Sequence, residues 1–501
     1  MKRILSLTAC LLVLVSLIAC HADKDTQNTE TTPEQTVQSV PGEGFRVGFG
    51  RACITPREKL PLGGFGNSSS RVMEDVLDEI YVDCIALTDA EDQTMLLMLV
   101  DMQRIADEVI AQLRQSVTDA TGIPGDRIII SCSHTHSIPD LTLSNHEGIA
   151  RYKELMLRQF AQAAESALAD SLPATLSAGV IETDQLSFVR HYYSVADDGT
   201  KNYFGDNFGT AVLDETTQHV TEGMESMRVV KFDREGGKSV VLCSFQAHPH
   251  LTGGSSLKDL SSDYVGPFRE AVEWQLDVHC SFIQGTGGNL NENSKILSEN
   301  MGTDVTHRQY GNRLAEYCIS CIENNMKPMD TGLIQLRVTP FEAKVDHSDD
   351  SRLYSAKEVI AFHQISGSNA ATREYAAQYG ISSFYHASAI QLRAGMPDTV
   401  TIELATFAIG DSLGFYVAPG ELFAETGLEM EARSPFRMTI AVCLADGDWK
   451  YFAYGPCAEY NSYESDYRRF VPDTCASLMD VWDDALNTLH ENAQKESQEN
   501  S

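Results

Sequence analysis

Apolar positions recur along the chain at two different periods, which divides it into short strands and amphipathic helices. Residues 94–101 are a near-continuous apolar run ending in an acid, the pattern of a strand covered on both faces. Behind it, Ile105, Val109, Leu113 and Val117 recur every four residues and predict a helix with one apolar stripe. Residues 127–132 read as another buried strand, opening onto the loop Ser133-His134-Thr135-His136-Ser137-Ile138-Pro139. A helical pattern follows over 149–172, and 174–181 alternates like a strand with one wet face. Strands over 227–232 and 239–245 flank a turn signal at 233–237 and read as a hairpin. Further helices are expected over 264–276, 306–325, 356–365, 370–378 and from Cys475, with strands over 334–343, 399–408, 413–417 and 438–444.

Hairpins and long strands interleaved with helices predict an α/β chain of mixed α+β character, with a mixed β-sheet core covered by helices. A doubly wound parallel sheet alone does not give this pattern. No Pro- or Ser-rich linker interrupts residues 45–490, so 44–501 is expected to be one catalytic domain. The first residues stand apart. Lys2 and Arg3 precede an apolar run over 4–19, and Leu17-Ile18-Ala19-Cys20 has the arrangement of a bacterial lipoprotein cleavage site. The expectation is a signal peptide over 1–19, lipidation of Cys20 and a tether over 20–43, where Thr, Gln, Asp, Glu and Pro leave almost nothing to bury. Ordinary secretion with a chance cysteine is the alternative. A lipidated chain would sit at the cell surface, on the outer face of a bacterial membrane, touching that membrane only through its acyl anchor.

Composition narrows the partners. With 71 acidic against 38 basic residues the formal charge is -33, which makes the chain a poor partner for nucleic acid. Ten cysteines follow Cys20, and several sit singly inside apolar runs, as Cys132 and Cys243 do; these read as buried small hydrophobes. Cys318 and Cys321 form a lone CxxC in a helical stretch, a weak signal for metal or redox chemistry.

Candidate chemistry gathers where predicted strands end. His134 and His136 leave one buried strand, and His248 and His250 leave another; neutral imidazoles at such positions are good ligands for Zn²⁺. A catalytic zinc takes about three protein ligands, commonly with a carboxylate among them. Asp101, Asp263 and Glu421 are acids in comparable positions, and Glu421 reads equally as a carboxylate opening a helix. The glycine-rich stretch 285–289 lacks phosphate-loop spacing and reads as a backbone wall beside a substrate.

These motifs, in this order, resemble the neutral/alkaline ceramidases. The resemblance is carried by His134-Thr135-His136-Ser137, Ala247-His248-Pro249, Ser262-Asp263-Tyr264-Val265-Gly266, the loop 285–291 and Pro419-Gly420-Glu421. The opening Val47-Gly48-Phe49-Gly50-Arg51-Ala52-Cys53-Ile54-Thr55-Pro56 and Gly63-Gly64-Phe65-Gly66 are also similar, so the likeness spans about 45–470. It implies a zinc amidase that cuts the N-acyl bond of ceramide, with His134, His248, Glu421 and Tyr451 on the metal. Tyr454 competes with Tyr451 for the last place. The resemblance further implies that His136 faces the scissile amide and that Arg190 is a substrate-site arginine. In a zinc-water mechanism Tyr463 is expected to help stabilise the oxyanion and Asp263 to support a ligand histidine. Asn291 stands where the characterised ceramidases have a serine, and an amide cannot serve as an activated hydroxyl nucleophile. Members also carry a C-terminal immunoglobulin-like domain, for which a chain ending in a helix is expected to have no room. The alternatives are a hydrolase of another amide or ester on the same site, and a surface lipoprotein that only binds.

Overall fold

The structure is a computed structural model that describes residues 44–65, 71–206, 212–221, 224–302, 304–458, 460 and 462–499. The leader, Cys20 and the tether expected over 1–43 lie outside the described residues. No described helix is long and apolar enough to cross a membrane.

Two sheets share one core. The larger sheet has nine strands, among them Arg46–Cys53, Tyr81–Thr88, Thr94–Val100, Ile128–Cys132, Leu172–Glu182, Ser226–Arg234, Val240–Phe245 and His279–Gln284. Most neighbours run antiparallel, while Thr94–Val100 with Ile128–Cys132 and Val240–Phe245 with His279–Gln284 are parallel, so the sheet is mixed. The expected hairpin is present, with Arg228 opposite Ser244 and Phe232 opposite Val240. A second sheet joins Ile334–Lys344, Thr399–Ile409, Leu413–Val417 and Met438–Val442.

Side-chain parity shows why the run at 94–101 is apolar throughout. Met95, Leu97 and Leu99 pack with Phe407, Phe415 and Ile440 of the second sheet, whereas Leu96, Met98 and Val100 pack with Leu113, Val117, Met156 and Phe160 of two helices. A strand covered on both faces has no wet side, so period 2 disappears from its sequence. Helix Glu147–Ala169 lies directly on strand Arg46–Cys53: a Cβ at Gly48 would meet the Ala167 carbonyl oxygen at 1.8 Å, so only glycine lets the helix approach this closely. Helices Val265–Leu276 and His307–Asn324 cover the other half of the same sheet. On the far side, Leu478, Trp482 and Leu486 of helix Thr474–Glu499 close the second sheet.

The mixed β-sheet core covered by helices that the sequence predicts is present, built as two stacked sheets between helical layers. Helix Phe384–Arg393 was not expected, because its buried side includes His386 and Arg393 and dilutes the apolar period. The ten described cysteines are free thiols and all but Cys53 are buried, consistent with their reading as small hydrophobes.

Residues 443–445 tie the two sheets together beneath the loops that carry the histidines. Cys443 N–H donates to Gln284 O at 3.1 Å, Ala445 pairs with Ser131, and Leu444 N–H donates to Gly420 O at 3.0 Å. These bonds hold the segments that lead into His134 and Glu421 close together.

Candidate metal centre

His134 lies just beyond strand Ile128–Cys132 with φ of 71°, a left-handed conformation uncommon for a non-glycine residue. Its N–H donates to Met102 O at 2.9 Å, and its Nδ1 lies 2.9 Å from Gln103 O. His248 follows strand Val240–Phe245, and its Nδ1 lies 2.8 Å from Leu290 O. A backbone carbonyl oxygen can only accept, so in the neutral rings each Nδ1 carries the proton and each Nε2 presents a lone pair. Both lone pairs face one atom: Glu421 Oε2 is 3.3 Å from His134 Nε2 and 3.3 Å from His248 Nε2.

That oxygen is buried and has no hydrogen-bond donor. Leaving a buried carboxylate oxygen unpaired costs several kcal/mol unless a cation takes it. Two imidazole lone pairs and one anionic oxygen converging on a point form the donor set of a tetrahedral zinc site, so the residues present fit the ion. Glu421 reaches this position because its N–H donates to Lys450 O at 2.8 Å and its short strand pairs, in parallel, with Tyr451 directly opposite. Tyr451 is therefore beside the carboxylate, and its phenol is pushed well above 10 by burial and by Glu421. Tyr454, the competing choice, packs instead against the core beneath the second sheet.

His136 completes the imidazole cluster. Its Nε2 is 3.4 Å from His134 Nε2, and one ligand atom from each of His134, His136 and His248 lies within 4.8 Å of the others. Among the described residues its ring has no backbone acceptor, unlike those of the other two. Burial and then His134, His248 and His250 keep it well below 6.5 and hence neutral. Phe65 stands edge-on to its ring at 5.3 Å, and a Cβ at Gly64 would meet His136 O at 2.3 Å, so the glycine is what lets this loop close over the site.

Arg190 stands on the other side, buried, with every arm assigned. Nε donates to Glu464 Oε1 at 2.6 Å, Nη1 to Asn291 Oδ1 at 3.0 Å and Nη2 to Gly288 O at 2.8 Å. Asn291 pairs with His248 in a backbone bridge, which places it beside the imidazole cluster. Tyr463 lies 5.6 Å from the Tyr451 ring, and burial keeps its phenol protonated.

Two acids considered from the sequence do other work. Asp101 accepts from Arg269 Nη2 at 2.5 Å and from Tyr81 N–H, an internal ion pair of the fold. Asp263, expected beside a ligand histidine, accepts instead from Thr252 and from Tyr264 N–H. The reason is that the His134 and His248 rings already give their Nδ1–H to backbone carbonyls. Sequence reasoning missed Glu464 and His191, although they directly follow Tyr463 and Arg190. Glu464 Oε2 lies 2.9 Å from His191 Nε2 while Oε1 takes Arg190, so one buried acid orients both. His250, weighed as a third imidazole, is turned toward Glu292, with Nδ1 to Oε2 at 2.8 Å.

No protein-family model and no curated protein sequence matches the chain. Among solved structures, the neutral ceramidase of Pseudomonas aeruginosa superposes with a TM-score of 0.65 at 16% identity, over 90% of this chain and 75% of that one. A ceramidase complexed with C2 superposes with a TM-score of 0.62 at 15% identity, over 90% and 76%. The motif order read from the sequence and these superpositions agree: the chain has the neutral ceramidase fold.

Proposed function

We propose that the chain is a zinc-dependent amidase that hydrolyses the N-acyl bond of a ceramide-like lipid to a fatty acid and a sphingoid base. The observation that carries this reading is the approach of His134 and His248 to one donorless oxygen of Glu421, inside the fold of the neutral ceramidases. His134, His248, Glu421 and Tyr451 would hold the ion, and zinc there supplies Lewis-acid polarisation of a carbonyl and lowers the pKa of a water toward about 7.

The chain's own residues do the rest. His136, neutral and without a backbone acceptor, takes the proton of the attacking water on Nε2 and returns it to the amine nitrogen as the C–N bond breaks. Arg190, fixed by Glu464 and Asn291, and the protonated phenol of Tyr463 donate to the oxyanion that forms on the carbonyl oxygen. Because these donors are buried and already oriented, they need little reorganisation as charge develops. Asn291 acts here through Arg190 and not as a nucleophile.

In this reading lipidated Cys20 holds the enzyme on the outer face of a bacterial membrane. Asn291 in the serine position favours a second reading, in which the same site cleaves another amide or an ester. Fatty-acid release from ceramide by zinc-loaded protein, absent in His134→Ala, tests the first; a folded, metal-loaded protein that releases none contradicts it.

A further inference from the structure

Among the described residues no hydrogen bond holds the Tyr463 hydroxyl, so its aim depends on the rings packed around it. Three tyrosines supply those rings. Tyr451 stands at 5.6 Å and 72°, and Tyr467, one turn along the same short helix Tyr463–Tyr467, at 6.0 Å and 30°. The third is Tyr385, edge-on to Tyr463 at 4.9 Å and 89°, which also meets Tyr467 at 5.8 Å. Tyr385 comes from helix Phe384–Arg393, whose Ala387 and Ile390 face a small apolar core with Val359 and Ala376. Tyr385 lies on the opposite side of that helix, half-buried against the tyrosines. Two bonds fasten the helix to the one that carries Tyr463: Ser382 Oγ donates to Asp466, and Arg393 Nη1 donates to Arg468 O at 3.1 Å. Within the helical segment, Ser383 Oγ accepts from His386 N–H at 3.1 Å, and His386 Nε2 lies 3.0 Å from Asp349 Oδ2.

We propose that Tyr385 is a positioning residue for Tyr463, a role that rests on the amidase reading above. An edge-to-face pair at this separation is a favoured arrangement of two aromatic rings, with the electropositive edge of one on the face of the other. Tyr467 shares the helix of Tyr463 and moves with it, and Tyr451 is assigned to the ion. Tyr385 is therefore the ring from a separate, fastened element that fixes how the Tyr463 side chain is turned. An oxyanion donor is effective only when it is oriented before charge develops, and a misplacement of about 1 Å can cost on the order of a hundredfold in rate. The Tyr385 hydroxyl has no hydrogen-bond partner among the described residues, so the ring and not the hydroxyl carries the role.

The experiment measures fatty-acid release from ceramide by zinc-loaded parent, Tyr385→Ala, Tyr385→Phe, Tyr463→Phe and Tyr385→Ala/Tyr463→Phe. Tyr385→Ala is expected to lower kcat by about tenfold with KM within about twofold, and Tyr385→Phe to stay within about twofold of the parent. On the Tyr463→Phe background, which already lacks the donor, adding Tyr385→Ala should cost less than about twofold, because residues that act through one group are not additive. Tyr385→Leu keeps apolar bulk if Tyr385→Ala does not fold, and is expected to show the same loss of kcat. Crystal structures of the parent and of either variant read the placement without turnover: Tyr463 should hold one orientation in the parent and leave it in the variant. A folded, zinc-loaded parent that releases no fatty acid would contradict the amidase reading, and the orientation of Tyr463 then decides the positioning by itself. Additive losses in the double variant, an equal loss in Tyr385→Phe, an effect confined to KM, or a Tyr463 that keeps its orientation in the variant would overturn the proposal.

Discussion

Asn291 accepts a hydrogen bond from Arg190, Oδ1 to Nη1 at 3.0 Å. The amide thereby fixes one arm of a buried cation instead of supplying a hydroxyl. Asn291→Ala is expected to lower kcat/KM by roughly tenfold to a hundredfold, the range for losing a hydrogen bond to a charged group, with bound metal unchanged. Steady-state kinetics beside metal analysis checks this; loss of metal in the variant would place Asn291 among the ligands.

The two classes of histidine separate by mutation. His134→Ala, His248→Ala and Glu421→Ala each remove one of three groups converging on a point and should lose stoichiometric zinc. His136→Ala should retain zinc and lose turnover by at least a hundredfold, because its ring is the one without a backbone anchor. Metal analysis after gel filtration distinguishes the outcomes; zinc lost from His136→Ala would make that ring a ligand.

Glu464 gives the fold a defined response to acid. Burial opposes its charge, but Arg190 and His191 outweigh burial and bring its carboxyl to about 2, below its ordinary 4.5. A carboxyl lowered on folding stabilises the protein fully above its ordinary value, and that stability is lost as pH falls through its folded one. Urea midpoints measured from pH 6 to pH 2.5 should therefore fall more steeply in the parent than in Glu464→Gln. Parallel curves would show that Glu464 does not carry this dependence.

Gly48 tests the packing of the fold apart from its chemistry. A methyl group there would meet the Ala167 carbonyl oxygen at 1.8 Å, so Gly48→Ala must push helix Glu147–Ala169 off the sheet. The expected cost is about 1–3 kcal/mol, visible as a lower thermal midpoint. An unchanged midpoint would mean the helix moves freely over this strand.

Much of this molecule is written locally in the sequence. The helix behind Ile105 and Val109 and the hairpin centred on 233–237 each follow from neighbours a few residues apart, and both are present. The histidines were legible because they end apolar runs, where a polar residue is conspicuous. Three features were not legible. The second sheet cannot be told from the first when both faces of a strand such as Thr94–Val100 are covered. Helix Phe384–Arg393 buries His386 and Arg393, which hydrophobic periodicity counts as exposed. The partners of Arg190 lie 101 and 274 positions away, at Asn291 and Glu464, and no local pattern records such a pairing.

The central claim is that the site formed by His134, His248 and Glu421 cleaves a lipid N-acyl bond. It is tested most directly by quantifying fatty acid and sphingoid base released from ceramide in detergent micelles by purified, zinc-loaded protein, with His134→Ala alongside. The account predicts equimolar release of both products by the parent and none by the variant. Release by both proteins, or by neither when the parent is folded and holds one zinc, would contradict it.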